Sequence, residues 1–201
     1  CPETKDNDFT WKDFQARNNS ELVAIYGNFA NRVLSLIKKY YNGKIPKVKS
    51  RNRVDDLVLE DVKVLKEEIE SNLDSFKFRE ATKNLMNIAR IGNKYLAETE
   101  PWKIKESDPL RVEQILHTSF IIISYLAIVS EPFLPFTSVK LKNMIGLNDY
   151  SWDDLDKIFG TLNYNFTIVD IVILFKRIED SEIEYQICLL YTSPSPRDPV
   201  S

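Results

Sequence analysis

The apolar run at residues 115–129, ILHTSFIIISYLAIV, places the strongest constraint on how this chain can fold. It is shorter than the ~18 residues that a membrane-spanning helix needs, and it contains the polar residues His117, Thr118, Ser119 and Ser124. We therefore predict that it forms a helix in the core of a globular domain and makes no contact with a membrane. His117 is expected to be a core histidine whose hydrogen bonds are satisfied.

Glycine is scarce, with only 5 in 201 residues, and this disfavours β-rich folds that turn often on glycine. Hydrophobic residues make up 43% of the chain and charged residues 28%, which is the balance of a soluble globular protein. The predicted fold class is therefore all-α, a helical bundle.

Apolar residues recur at helical spacing along most of the chain. Ser20 is a candidate N-cap for a first helix that runs to Tyr41, with Glu21 in its first turn. Asp108 and Pro109 are expected to begin the helix that contains the apolar run. The predicted helices are 20–41, 59–76, Phe78 to Ala97, 110–130, Thr137 to Ile145 and a last turn or two at 151–159.

The last part of the chain differs in composition from the helical part. Residues 166–175, FTIVDIVILF, are rich in β-branched side chains, which predicts either a strand or a segment folded back along the bundle. The ending at 188–201, CLLYTSPSPRDPVS, lacks a periodic apolar pattern and has three prolines in its last eight residues. It also resembles translated vector sequence, and we predict that it is a non-native read-through tail.

The sequence offers no candidate catalytic or metal site. It has one histidine, two cysteines near opposite ends at Cys1 and Cys188, and neither a glycine-rich phosphate loop nor a GxSxG motif. We therefore expect no metal site and no cofactor in this chain. The lack of a disulfide framework fits a reducing compartment, and we predict a cytoplasmic location.

Basic residues without an acidic neighbour occupy the stretch between positions 38 and 53, although the formal net charge of the chain is −3. This stretch is either a solvated loop or a surface that binds a phosphate backbone, because uncompensated like charges repel one another until an anion approaches. The candidates for phosphate contacts are Lys44, Lys47, Lys49, Arg51 and Arg53.

Asn28 and Arg32 lie four residues apart on the first predicted helix and therefore share one face. An amide beside a guanidinium forms a hydrogen-bonding edge that is able to read a nucleobase, and an ordinary surface pair is the other interpretation. Trp102 follows Pro101 at a helix break among charged residues. It is either a core anchor or a surface on which a base stacks.

Four stretches together resemble the methionyl-tRNA synthetase family, in the region that follows its catalytic domain. The resemblance covers residues 2 to about 187 in family order, and its most specific parts are the Asn–x–x–x–Arg of the first helix and the Pro–Trp after the third. The four stretches are PETKDNDFTWKDFQARNNSELVAIYGNFANR, NIARIGNKYLAETEPWK, PFLPFTS and LFKRIED.

The resemblance implies the helical anticodon-binding domain of a class I aminoacyl-tRNA synthetase, with a short irregular or strand-like C-terminal extension. It implies that Asn28 and Arg32 read the first anticodon base, cytosine, and that Trp102 stacks on it. The implied partners are a methionine acceptor tRNA and a catalytic domain of the same chain, expected before residue 1. ATP, Mg²⁺ and, as a further candidate, Zn²⁺ are implied for that catalytic part, and no cofactor is implied for this fragment.

The same resemblance divides the chain into four parts. They are a junction from the catalytic domain at 1–19, the helical anticodon-binding domain at 20–160, an extension that folds back on the bundle at 161–187, and the read-through tail at 188–201.

Two alternatives to this function stay open. One is the anticodon-binding domain of another class I synthetase, for isoleucine, valine, leucine or cysteine. The other is a helical protein–protein interaction module, in which Trp102 is an interface anchor.

Overall fold

The computed structural model describes residues 9–160 and 165–192 of the chain. Within these ranges the chain is helical, apart from loops and one isolated antiparallel bridge between Lys44 and Thr167. The predicted all-α fold class is therefore confirmed. The elements are α1 (Trp11–Arg17), a π-helical segment (Asn18–Gly27), α2 (Asn28–Tyr41), α3 (Arg53–Asp74), α4 (Phe78–Thr99), α5 (Pro109–Val129), α6 (Pro135–Ile145), a 3₁₀ turn (Trp152–Asp154), α7 (Leu155–Gly160) and α8 (Asp180–Thr192).

The first helix begins earlier than the sequence predicts. Its N-cap is Thr10, whose hydroxyl accepts a hydrogen bond from the Asp13 amide at 3.1 Å, and α1, the π-helical segment and α2 then follow without a break. Ser20 lies inside this helix and donates to the Ala16 carbonyl at 2.6 Å. The predicted start at Ser20 is wrong because a serine that bonds back to its own helix has the same sequence signature as a capping serine.

Helix α5 is the centre of the bundle and packs against α2, α3, α4, α6 and α7. Every residue from Ile115 to Val129 is buried, so the predicted core helix is confirmed. Among the described residues, α5 is the one helix whose length and composition would allow it to cross a membrane, but 89% of its apolar window is buried inside the protein. His117 lies in this core, as predicted, and a hydrogen-bond contact is observed for its Nδ1, which is 3.2 Å from the Pro46 carbonyl oxygen.

Helices α2 and α4 approach each other closely at Gly92. A Cβ atom at this position would lie 2.3 Å from Cζ of Phe29, so the phenylalanine ring occupies the space that a side chain would need. The buried residues of α4 recur at helical spacing on the side that packs against α2, α3 and α5. They include Ala81, Leu85, Ile88, Gly92, Tyr95 and Leu96.

A buried carboxylate joins α3, α4 and α5. Asp55, in the first turn of α3, accepts two hydrogen bonds from Arg111 of α5, each at 2.7 Å, and one from the Tyr95 hydroxyl of α4 at 2.6 Å. It also forms a capping box with Asn52, so α3 begins at Arg53 and not at the predicted residue 59. Burial alone would raise the pKa of Asp55, but the hydrogen bonds from Arg111, Tyr95 and the Asn52 amide lower that pKa below its usual value.

Residues 166–175 fold back along the bundle, which is one of the two predicted alternatives for them. The Ile168 amide donates to the Gly43 carbonyl at 2.8 Å, and Phe166, Leu174 and Phe175 pack against the core. Helix α8 has no counterpart among the predicted helices. It continues past the predicted tail boundary at residue 187 to Thr192, and residues 193–201 of the predicted tail lie outside the described residues.

We expect Gly92→Ala to lower the free energy of unfolding by ~1–3 kcal/mol, because the added methyl group overlaps the Phe29 ring in a packed core. Gly160→Ala is the matched control, since a Cβ at that position meets no atom within 4 Å. Urea unfolding followed by circular dichroism measures both variants. An unchanged unfolding midpoint for Gly92→Ala would contradict the close contact between α2 and α4.

We expect Asp55→Asn to lower the free energy of unfolding at neutral pH by roughly 3–5 kcal/mol, because Arg111 would lose the counter-charge of its partly buried guanidinium. The pKa of Asp55 is lowered in the folded state, so its contribution to stability is present above the unfolded-state pKa near ~4. That contribution is lost as the pH falls through the folded-state pKa. Unfolding measured from about pH 7 down to about pH 2 should therefore show the two proteins converging. A difference that stays constant over this range would contradict the assignment.

Candidate nucleic-acid interface

Asn28 and Arg32 share one face of α2 and converge on a single atom of α4. The Asn28 side-chain Nδ2 donates to Asn93 Oδ1 at 3.3 Å, and Arg32 Nη1 donates to the same oxygen at 3.5 Å. Asn28 is exposed and Arg32 is half-buried. The pair therefore forms a polar edge at the protein surface, and the Asn93 side chain binds both of its members.

Asn93 is the residue of this cluster that sequence reasoning missed. Its Nδ2 donates to the Ile25 carbonyl in the π-helical segment at 2.9 Å and to the Ala89 carbonyl in α4 at 3.1 Å. The one feature of the sequence that could have indicated Asn93 is its position, because a polar residue directly after Gly92 borders the buried face of α4. Asn93 thereby joins α4 to the first helix at the point where Asn28 begins α2.

Trp102 lies at the surface beside the Arg32 guanidinium. Helix α4 ends at Thr99, and Glu100 turns the chain in the left-handed region with a φ of 40°. Pro101 is buried, whereas Trp102 is 39% exposed, which does not fit a core anchor. The Arg32 Cζ atom lies 5.2 Å from the centroid of the Trp102 ring, so the guanidinium covers part of one ring face.

The basic loop between α2 and α3 is held against α5 by its backbone. The Pro46 carbonyl meets Nδ1 of His117 at 3.2 Å, and the Ser50 carbonyl accepts from Gln114 Nε2 at 3.1 Å. The side chains of residues 44–49 divide into a buried set and an exposed set of three each. The buried residues are Ile45, Pro46 and Val48, and the exposed residues are Lys44, Lys47 and Lys49.

Two basic residues of this stretch have acidic partners from elsewhere in the chain. Arg51 Nε lies 2.8 Å from Asp56 Oδ1, and the Arg51 side chain is only 11% exposed. Lys38 Nζ lies 3.9 Å from Asp170 Oδ1. The charge of the stretch is therefore partly compensated, which its own sequence does not show. The cations of this stretch that enter no ion pair with the described residues are Lys39, Lys44, Lys47, Lys49 and Arg53.

A second aromatic ring, that of Tyr40, lies near the C-terminal end of α2, between Arg32 and the basic loop in sequence. The Tyr40 ring is half-buried, with Lys105 Nζ at 4.8 Å and Lys39 Nζ at 5.7 Å from its centroid. Lys39 follows Arg32 by two helical turns, so both cations lie on the same side of α2. Positive charge therefore continues from Arg32 towards the basic loop.

Comparison with known proteins identifies relatives over nearly the whole chain. A family model for the anticodon binding domain of methionyl tRNA ligase matches residues 45–187, and a model for class I tRNA synthetases (M) matches residues 1–34. The methionine–tRNA ligase of Phocaeicola vulgatus is 50% identical over 187 residues, which are 93% of this chain and 27% of that relative. The methionine–tRNA ligase of Porphyromonas gingivalis is 50% identical over 188 residues, which are 93% of this chain and 28% of the relative.

The fold agrees with that of solved structures. The apo form of Mycobacterium tuberculosis methionyl-tRNA synthetase superposes with a TM-score of 0.79 and 21% identity, covering 87% of this chain and 36% of that one. At this identity the likeness establishes the fold alone.

The family matches place the chain among the class I tRNA synthetases. Within this class the chain belongs to the methionyl-tRNA ligase family and contains its anticodon-binding domain. The match favours this family over the other class I synthetases that the residues alone left open. The chain spans 27% of the length of the Phocaeicola vulgatus relative.

Proposed function

We propose that this chain binds the anticodon of a methionine acceptor tRNA, with Asn28, Arg32 and Trp102 as the site for the first anticodon base. One observation carries the proposal: the amide of Asn28 and the guanidinium of Arg32 meet at Asn93, and Arg32 also lies over the exposed Trp102 ring. Hydrogen-bonding groups and an aromatic ring are thus combined at one exposed position of the bundle.

The two kinds of group supply different parts of base recognition. An exposed tryptophan stacks on any unstacked base for ~1–3 kcal/mol, because every base has a π-face. Hydrogen bonds from an amide and a guanidinium depend on the donor and acceptor pattern of the base edge, so they distinguish one base from another. Asn28 and Arg32 therefore supply selectivity, and Trp102 supplies affinity.

The exposed cations supply contacts to the RNA backbone in this proposal. Lys44, Lys47, Lys49 and Arg53 are exposed and enter no ion pair with the described residues, so their charges are available to phosphates. Arg51 has Asp56 as its partner and stabilises the loop from within. Phosphate contacts orient the RNA without reading its sequence.

The proposal extends to the longer protein that the relatives represent. That protein attaches methionine to its tRNA with ATP, and ATP, Mg²⁺ and Zn²⁺ belong to a catalytic part joined to this domain through residues 1–19. Residues 20–160 form the anticodon-binding domain, and residues 161–187 form its extension. The family match ends at residue 187, which supports a non-native origin for residues 188–201. The cytoplasm, where tRNA is used in translation, is the proposed location.

We expect Trp102→Ala and Arg32→Ala to weaken binding in different ways. Trp102→Ala should weaken anticodon stem–loop RNAs with cytosine and with other first bases by similar factors, because stacking tolerates sequence. Arg32→Ala should cost ~1–3 kcal/mol for the cytosine form and much less for the others. Fluorescence titration of the wild-type chain and of each variant with the cytosine RNA and with the other stem–loop RNAs, at one salt concentration, measures these differences.

Three results would contradict this proposal. Equal losses for Arg32→Ala on all RNAs would make Arg32 a phosphate contact and not a base reader. An unchanged affinity for Trp102→Ala would remove the stacking contact. If the wild-type chain binds no stem–loop RNA at low salt, the domain acts instead as a protein–protein interaction module.

We expect the joint neutralisation of Lys44, Lys47 and Lys49 to glutamine to weaken all stem–loop RNAs alike. The magnitude of the slope of log affinity against log salt should fall by up to about 2, because RNA binding releases fewer counterions when three phosphate contacts are lost. The matched control neutralises Lys77, Lys83 and Lys140, three exposed lysines outside this loop, with the same change in net charge. Equal effects of the two triple variants would show that the loop responds only to total charge.

A further inference from the structure

We infer that Asn93 is a positioning residue that determines which base the proposed site prefers, because it sets the direction in which the Asn28 amide faces. The inference rests on the proposed function, in which Asn28 and Arg32 read a base. It adds a residue that touches no RNA and acts through Asn28 and Arg32.

The orientation of the Asn93 amide follows from its partners. Its nitrogen faces two carbonyl oxygens, those of Ile25 at 2.9 Å and Ala89 at 3.1 Å, and a carbonyl can only accept. The reversed amide would place its oxygen against these two oxygens and lose both hydrogen bonds. Asn93 Oδ1 is therefore held on the side that faces α2, where Arg32 Nη1 approaches it at 3.5 Å.

The fixed oxygen of Asn93 in turn determines the orientation of Asn28. A guanidinium has only donors, and Asn93 Oδ1 is only an acceptor, so the group of Asn28 that faces this oxygen must be its Nδ2. The Asn28 Oδ1 is then left on the other side of its amide, and no hydrogen bond within the described residues engages it. The exposed edge therefore presents an acceptor from Asn28 next to the remaining donors of Arg32.

This order of groups matches one pyrimidine and opposes the other. Cytosine carries an amino donor beside the ring-nitrogen and carbonyl acceptors, whereas uracil carries a carbonyl acceptor in place of that amino group. An acceptor at Asn28 pairs with the cytosine amino group and meets a lone pair on uracil. If the Asn28 amide could turn over freely, it would offer its NH₂ group to uracil equally well, and the discrimination between the two bases would be lost.

The test compares the affinities of stem–loop RNAs with cytosine or uracil at the first anticodon position. For Asn93→Ala we expect the ratio of the two affinities to fall on the order of tenfold, because the Asn28 amide is no longer held in one orientation. For Asn93→Asp we expect a less stable protein that retains the ratio, because one carboxylate oxygen still accepts from Asn28 Nδ2 and Arg32 although the other faces the Ile25 and Ala89 carbonyls without a proton to donate. Asn31→Ala is the control, since Asn31 is an exposed asparagine of α2 that forms none of the hydrogen bonds of Asn93.

A structural role for Asn93 would give a different result. Losing the hydrogen bond that joins Asn93 to the Ile25 carbonyl would weaken cytosine and uracil RNAs by equal factors and leave their ratio unchanged, which would overturn the inference. Thermal unfolding shows whether each variant is folded. If Asn93→Ala does not fold, the Asp variant decides alone, and a folded Asp variant that binds both RNAs equally would overturn the inference.

The failure of this inference can be separated from the failure of the proposed function. If the wild-type chain does not distinguish the two RNAs, or if Arg32→Ala changes neither affinity, then Asn28 and Arg32 do not read the base and the proposed function fails. If the wild type distinguishes them and Asn93→Ala retains the full ratio, only the role of Asn93 is overturned.

Discussion

The contact between Phe29 and Gly92 sets the distance between α2 and α4, and the candidate base site depends on that distance. Asn28 directly precedes Phe29, and Asn93 directly follows Gly92. The packing that seats the ring over the glycine therefore also brings the two amides within 3.3 Å of each other. A side chain at position 92 would separate the helices and break this polar cluster first. Core packing thus supplies the energy that holds a surface cluster in place.

The π-helical segment explains why Asn93 finds a backbone partner on the first helix. In a π-helix the hydrogen bonds span five residues, and the backbone N–H of Asn28 accordingly donates to the Val23 carbonyl as well as to that of Ile25. The Ile25 carbonyl also accepts from Asn93 Nδ2, so a side chain from α4 contacts the irregular part of the helix directly. Asn28 lies where this segment returns to α-helical geometry. The change of helix type and the candidate site therefore coincide in the chain.

The sequence predicted those elements whose signals are local. The Asp108–Pro109 start of α5 and the end of α6 at Ile145 follow from short-range signals, and both are observed. The start at Ser20 failed because its hydroxyl bonds within the helix, and the start of α3 was missed because its cap, Asn52, lies in a run that reads as a basic loop. The shared helix face of Asn28 and Arg32 followed from spacing, but their common partner is 61 to 65 residues away. Such a contact depends on tertiary packing, which a single sequence does not display.

The position of Arg32 over Trp102 links affinity and selectivity in the candidate site. The guanidinium lies over the ring while one of its nitrogens donates to Asn93, so two contacts restrict it before any ligand arrives. A base that enters then finds the donors of Arg32 already oriented, and less conformational entropy is lost on binding. The same arrangement leaves 39% of Trp102 exposed for stacking. Removing the tryptophan would therefore also release Arg32, so the loss for Trp102→Ala contains mainly the stacking energy, which all bases share, and for the cytosine form a smaller cost of ordering the guanidinium. The double variant Trp102→Ala with Arg32→Ala separates the two contributions. Independent contacts would make its loss equal to the sum of the two single losses, whereas shared preorganisation makes its loss smaller than that sum.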